Sequence, residues 1–111
     1  MLGSLSESKA VTIVIQLFQG LAYIHNRKVC HRDIKLDNLI YHEAQNKLKI
    51  IDFGFAANSK EPLKSMCGTP SYMAPEVTLG KQYSGAPADM WACGVVLYIV
   101  LTGQYPFKGA D

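Results

Sequence analysis

Apolar residues recur at helical spacing from near the start of the chain. Val11, Val14, Ile15, Phe18, Leu21 and Ala22, with Ile24 or His25 one turn on, fall at i, i+3 and i+4. This pattern predicts a helix over residues 4–27. Ser4 and Glu7 have capping-box spacing at its start. Asn26-Arg27-Lys28 places basic residues at the end where the helix dipole favours them. The apolar face is wide, which implies burial among several partners. Two short apolar runs follow, Leu39 to Tyr41 and Leu48 to Ile51. The polar stretch His42 to Asn46 between them predicts a hairpin over residues 39–51. Residues 55–73 carry Gly, Ser, Pro, Lys and Asn with neither period and read as a mobile surface segment. Pro75 suits the first turn of a short helix, and Lys81 to Pro87 reads as a further loop. A second long helix is expected over residues 88–102. It is apolar nearly all round, so it should be wrapped on every side. Gly103 stops it and Pro106 prevents its resumption.

No repeat, low-complexity tract or linker divides the 111 residues, so they form one domain at most. Composition adds little beyond exclusions. The net charge of +2 is small and scattered, which points away from nucleic acid and from a membrane surface. The run Ala92 to Leu101 is too short to span a bilayer. Gln16 and Gln19 interrupt the apolar stretch Ala10 to Ile24, and Glu7 sits where a signal peptide needs positive charge. Cys30, Cys67 and Cys93 are odd in number and lack C-x-x-C spacing. They argue against a disulfide framework or a zinc site and fit a reducing cytoplasm, with the nucleus as the alternative. Cys67 reads as a small half-buried thiol before it reads as a redox centre.

The chemistry lies in three short pieces. His31-Arg32-Asp33-Ile34-Lys35-Leu36-Asp37-Asn38 comes first, Asp52-Phe53-Gly54 begins nineteen residues after Asp33, and Ala74-Pro75-Glu76 comes third. Each is weak alone. In this order and spacing they resemble the eukaryotic protein kinase family, whose pattern is H-R-D-x-x-x-x-N, D-F-G and A-P-E. The resemblance runs from residue 4 to residue 111. Lys35, two residues after Asp33, is similar to the serine/threonine type. Asp89-Met90-Trp91-Ala92-Cys93-Gly94-Val95 with Thr102-Gly103-Gln104-Tyr105-Pro106-Phe107 resembles the calmodulin-dependent or SNF1-like group.

This resemblance implies an α+β fold, mainly α: a protein kinase-like large lobe, incomplete and without the small lobe. It implies a catalytic loop at 31–38, an activation segment at 52–76 and a buried helix at 88–102. The implied activity is phosphoryl transfer from ATP to serine or threonine hydroxyls of a protein substrate. Such transfer asks the protein for positioning and charge compensation rather than covalent work. Asp33 would accept or orient the hydroxyl proton. Asn38 and Asp52 would hold Mg2+, which prefers hard oxygen ligands, and the hairpin would let them converge on one ion. Lys35 would contact the transferred phosphate, Ile40 with Leu39 would floor the adenine, and Thr69 would touch the catalytic loop and position substrate. Arg32 would pair with a phosphate on the activation segment, Ser65 being the residue modified by an upstream activating kinase. Ser59 and Ser71 are weaker candidates. His31 and Phe53 would belong to a hydrophobic spine, Gly54 would permit the turn after Asp52, and Asp89 would anchor the catalytic loop. Outside this set, Asp33 would read as a turn-capping carboxylate, Lys35 as a solvated lysine and Asp89 as a helix N-terminal charge.

The sequence contains no G-x-G-x-x-G loop and no V-A-I-K strand, and Glu76 lacks the arginine that the family supplies. Transfer by these residues alone is therefore expected to be strongly suppressed. The second long helix is expected to present an exposed apolar face to a partner or a chaperone. The alternative functions are a non-catalytic binding or regulatory module and a non-functional truncated product.

Overall fold

The first helix, α1, spans Glu7–Asn26 and opens at Ser6, whose hydroxyl accepts the backbone N–H of Lys9 at 3.3 Å. Ser4, expected in that role, lies outside residues 5–106, which are the ones this computed structural model describes. Phe107 likewise lies outside them. Glu7 is the acidic residue of the first turn, where it meets the positive end of the helix dipole.

The buried stripe of α1 is Ala10, Ile13, Val14, Leu17 and Leu21. Val11, Ile15 and Phe18 were expected inside but are 46, 50 and 42% exposed, and Ala22 is also exposed. The physical reason is the placement of Gln16. Its Oε1 accepts the N–H of Leu48 at 2.8 Å and its Nε2 donates to the carbonyl of Asn46 at 2.9 Å. Satisfying that main chain turns the Gln16 side of α1 toward the hairpin, and the Ile15 side turns outward.

The hairpin pairs β2, Leu39–His42, with β3, Lys47–Ile50, around a single 3-10 turn at Glu43–Gln45 closed by Asn46 in the left-handed region. Outside it, β1 (Val29–Cys30) pairs antiparallel with β4 (Ala57–Asn58). These two-residue strands were not anticipated, and β4 falls within the segment expected to lack regular structure. A second piece of order there is the 3-10 turn Pro70–Tyr72. The two ladders are the ends of one interrupted ribbon. Between Cys30↔Ala57 and Leu39↔Ile50, eight residues (31–38) face six (51–56). Both chemistry-bearing stretches line this unpaired bubble.

The short helix α2 spans Pro75–Thr78 with proline in its first turn, as expected. The long helix α3 spans Gly85–Thr102, three residues earlier than the pattern implied. Pro87 does not delay its start, because the first-turn N–H groups have no intrahelical partner to lose. Gly103 ends it at φ 75° and donates to the carbonyl of Ile99 at 2.7 Å. At 18 residues and mean hydropathy 1.4, α3 is long and apolar enough to cross a membrane by those two criteria. Here one face, including Ala92, Cys93, Val95, Val96, Ile99 and Val100, packs against α1 together with Ile34, Leu39 and Tyr72. The other face is open. Met90, Tyr98 and Leu101 are 40, 44 and 43% exposed, so the helix is wrapped on one side only. A second, smaller cluster of Ala74, Val77 and Tyr83 lies with Leu63, Met73 and Ala88. Helix predominates over sheet, in keeping with an α+β chain.

Candidate active site

Asp89 fixes the frame of the site from below. It is 1% exposed, near the start of α3. One carboxylate oxygen accepts the N–H of His31 at 2.8 Å and the other accepts the N–H of Arg32 at 2.9 Å. His25 of α1 shares the first oxygen through Nε2 at 2.9 Å. A buried carboxylate with three such partners is compensated, where a lone one would be costly. Arg32 has φ 73°, an uncommon conformation for a side chain-bearing residue. Its N–H bond to Asp89 holds it there.

His31 is fully buried. Its Nδ1 accepts the N–H of Asp33 at 3.0 Å, so its Nε2 carries the proton and donates to the carbonyl of Ile51 at 2.9 Å. Phe53 meets its ring edge-on, with centroids 4.6 Å apart. The histidine thus ties one side of the bubble to the other. A second tie runs from the N–H of Ile51 to the carbonyl of Asn38 at 2.9 Å.

Asp33 sits at the centre and is 9% exposed. Asn38, itself 5% exposed, donates from Nδ2 to the Asp33 carbonyl at 2.8 Å and to its Oδ2 at 3.3 Å. The Thr69 hydroxyl donates to Oδ1 at 3.5 Å and accepts from Lys35 Nζ at 3.0 Å. Lys35 Nζ stands 3.9 Å from Asp33 Oδ2. Four residues expected in catalysis are thereby linked, one of them from a segment 36 residues further on. Gly68 permits this approach: its φ is 104°, and a Cβ there would lie 2.8 Å from the Arg32 carbonyl oxygen. Side chain-bearing residues satisfy neither demand.

Asp52 is exposed and has φ 62°. Its Oδ1 accepts the N–H of Gly54 at 3.3 Å, the tight turn expected of that glycine. No group of three or more His, Cys, Asp or Glu side chains suited to a metal occurs among the described residues. The fit for Mg2+ rests instead on oxygen chemistry. The hydrogen bonds of Asn38 use its Nδ2 and leave its Oδ1 as a ligand atom, and Asp52 offers a carboxylate across the bubble. Magnesium is commonly held by one or two such groups, with waters and phosphate oxygens completing the shell.

Leu39 is buried beneath the site, and Ile40 is 43% exposed beside it. Ile40 lines a cavity of about 440 Å³ with Leu36, Asp37, Tyr41, Tyr72 and Tyr105. Burial pushes the Tyr72 phenol well above its usual range.

Arg32 turns its side chain the other way. Its Nε donates to the carbonyl of Phe55 at 2.7 Å and its Nη1 to the Tyr83 hydroxyl at 3.2 Å. Ser65 is exposed, Glu76 is half-buried, and no ion pair to Glu76 occurs among the described residues. All three cysteines are free, with Cys67 half-buried as expected. Sequence reasoning missed His25, which it placed on an apolar helix face, and Tyr83, which it left in a loop. No local spacing marks either residue, because both act through partners distant in the chain.

The model of the protein kinase domain matches residues 2–111. Serine/threonine-protein kinase SAPK9 of Oryza sativa subsp. japonica is 48% identical, over 98% of this chain and 31% of its own length. CBL-interacting serine/threonine-protein kinase 8 of Arabidopsis thaliana is 47% identical, over 98% of this chain and 25% of its own. The probable serine/threonine-protein kinase HSL1 of Saccharomyces cerevisiae is 42% identical, over 96% of this chain and 7% of its own. The chain thus spans about a third or less of the curated relatives it matches.

Proposed function

Because this chain belongs to the protein kinase family and is of its serine/threonine type, we propose that its residues carry ATP-dependent phosphoryl transfer to serine or threonine hydroxyls of a protein substrate. The observation that carries this reading is the placement of Asp33. Its carboxylate is held by Asn38 and Thr69, with the Lys35 ammonium 3.9 Å away. Asp33 takes the proton of the attacking hydroxyl. Lys35, already bonded to Thr69, meets the charge that gathers on the transferred phosphoryl group. Thr69 brings the segment that presents the substrate against the loop that bears the base. Asn38 and Asp52 would hold Mg2+, which supplies neutralising charge at the phosphates when bound. Ile40 would support the adenine from the wall of its cavity.

Glycine-rich cover and nucleotide-binding lysine come from outside these 111 residues in this reading, which assigns activity to a longer polypeptide that contains them. Its large-lobe portion is what the chain represents. We place it in the calmodulin-dependent or SNF1-like group and in the cytoplasm or nucleus, with Ser65 the target of an upstream kinase that Arg32 answers. In a polypeptide that supplies the missing parts, Asp33→Asn should lower peptide phosphorylation by roughly 10²–10⁴-fold. Peptide affinity should be unchanged. Transfer retained within a few-fold of the parent would sink the reading.

A second reading is favoured by the open faces of α1 and α3, where Val11, Ile15, Phe18, Met90, Tyr98 and Leu101 are exposed. In it, the 111-residue chain is a binding or regulatory module that docks on a protein through apolar surface. A monodisperse monomer that buries no dye-accessible apolar surface on meeting other proteins would count against it.

A further inference from the structure

Tyr83 precedes α3 and has no part in the chemistry described so far. It is 6% exposed and belongs to the smaller apolar cluster with Ala74 and Val77. Its main chain exchanges two hydrogen bonds with Leu63, each of 2.9 Å. Its hydroxyl accepts from Arg32 Nη1 at 3.2 Å and donates to the carbonyl of Ser65 at 2.9 Å. One residue therefore holds the middle of the 52–76 segment at Leu63 and Ser65, and also holds the side chain that precedes Asp33. The described residues offer no other hydrogen bond between a side chain and the main chain of 63–66.

We propose that Tyr83 is a positioning residue, a clasp through which order in the 52–76 segment is transmitted to Arg32 and so to the loop that carries Asp33. This inference rests on the reading of 31–38 and 52–76 given above. Two properties of the site support it. The hydroxyl acts as acceptor and donor at once, and hydrogen bonds in such a chain strengthen each other in a weakly polar site. Among the described residues, the hydrogen-bonded route from Arg32 to residues 63–66 runs through that hydroxyl, since its other side-chain hydrogen bond goes to Phe55. Loss of either Arg32 or the hydroxyl should then loosen the same stretch. The clasp is made with Ser65 unmodified. A phosphate on Ser65 would compete for the same guanidinium, so modification would replace the tyrosine bond with a charge-assisted one.

The test needs no catalytic activity. Lys60 and Lys64 are exposed in the clasped stretch, so trypsin reports its opening in the full 111-residue chain. Tyr83→Phe keeps the ring and both main-chain bonds and removes the hydroxyl. Cleavage after Lys64 should speed up roughly fivefold, the scale of one hydrogen bond in a local opening equilibrium. The thermal midpoint should stay put. Arg32→Gln should speed the same cleavage, and adding it to Tyr83→Phe should change the rate less than about twofold. Cleavage of Tyr83→Phe at the parent rate, or acceleration by the two substitutions that simply multiplies, would overturn the proposal. Hydrogen exchange on the parent chain covers the case of a variant that does not fold. The Leu63 amide should open together with those of His31 and Arg32, and free exchange at Leu63 beside protection at the other two would also overturn it. If Asp33→Asn left transfer intact, the kinase reading would fail while these opening rates stood.

Discussion

At the scale of single residues, the site is organised by carboxylates that differ in their degree of exposure. Asp52 is exposed, Asp33 is nearly buried and Asp89 is buried. Asp89 shows how much one side chain can hold. Its two oxygens satisfy the N–H groups of two successive residues, His31 and Arg32, and one also binds His25. Asp89→Asn is nearly isosteric but replaces one acceptor with a donor, which then faces a backbone N–H. The expected loss is about 3 kcal/mol of stability, read from urea unfolding of the chain. His25→Ala leaves both backbone bonds in place and should cost only about 1 kcal/mol. Equal losses from the two substitutions would mean that the histidine, and not the backbone pair, carries the energy.

At the scale of elements, the decisive contacts join pieces that are short or irregular. Helix α3 starts against β1: a Cβ added at Gly85 would overlap Cys30 Sγ and lie 3.1 Å from Leu63 Cδ1. Gly85→Ala should therefore destabilise by about 1–3 kcal/mol. Cys30→Ala should recover part of that loss, because it removes the nearest atom. Unfolding curves that show the same loss with and without Cys30→Ala would exclude this contact as the cause. The contact also marks what was legible in the sequence. The hairpin, α2 and the end of α3 could be read from period, proline and glycine, and the linked set Asp33, Lys35, Asn38 and Thr69 from the resemblance to the kinase family. The start of α3 falls inside Lys81 to Pro87, which reads as a loop, because a first helical turn tolerates Pro87. The buried face of α1 was read in part: Val14 and Leu21 lie on it, but Val11, Ile15 and Phe18 satisfy helical period as well as Ile13 and Leu17 do, and Gln16 decides between them. Strands β1 and β4 have two residues each, too few to show a period of two. Tyr83 and His25 carried no signal because their partners lie far away in sequence.

At the scale of the whole molecule, the chain is a slab measuring 39 × 36 × 18 Å. Its thickness allows little more than one layer of helices, each about 10–12 Å across with its side chains, so α1 and α3 share a core on one flank and lie open on the other. The thiols report whether this core forms. Cys30 and Cys93 are buried and Cys67 is half-buried, so a thiol reagent should modify Cys67 fast in the native chain and the other two only on unfolding. Burial also pushes the Cys93 thiol from 9.0 up to about 12. The folded state therefore prefers the protonated thiol. That contribution to stability is fully present below pH 9 and is lost as pH rises toward 12. The urea midpoint should fall across this window, and Cys93→Ala should flatten the fall. An equally steep fall in the variant would assign it to other groups.

The interrupted ribbon has a consequence for how the molecule assembles. Joining β1 to β4 in an open chain would close a loop of 26 residues (31–56), and loop-closure entropy grows with the logarithm of length. Once the β2–β3 hairpin has zipped, its twelve residues (39–50) no longer count as free chain. What remains to be ordered is the fourteen residues of the bubble, a little over half the length and about 0.5 kcal/mol cheaper. Zipping the inner ladder first is thus the cheaper order of closure, and in that order the residues of the bubble are enclosed last. Their geometry is then set by a closing step that starts from an inner ladder already hydrogen-bonded, which limits the registers in which β1 can meet β4.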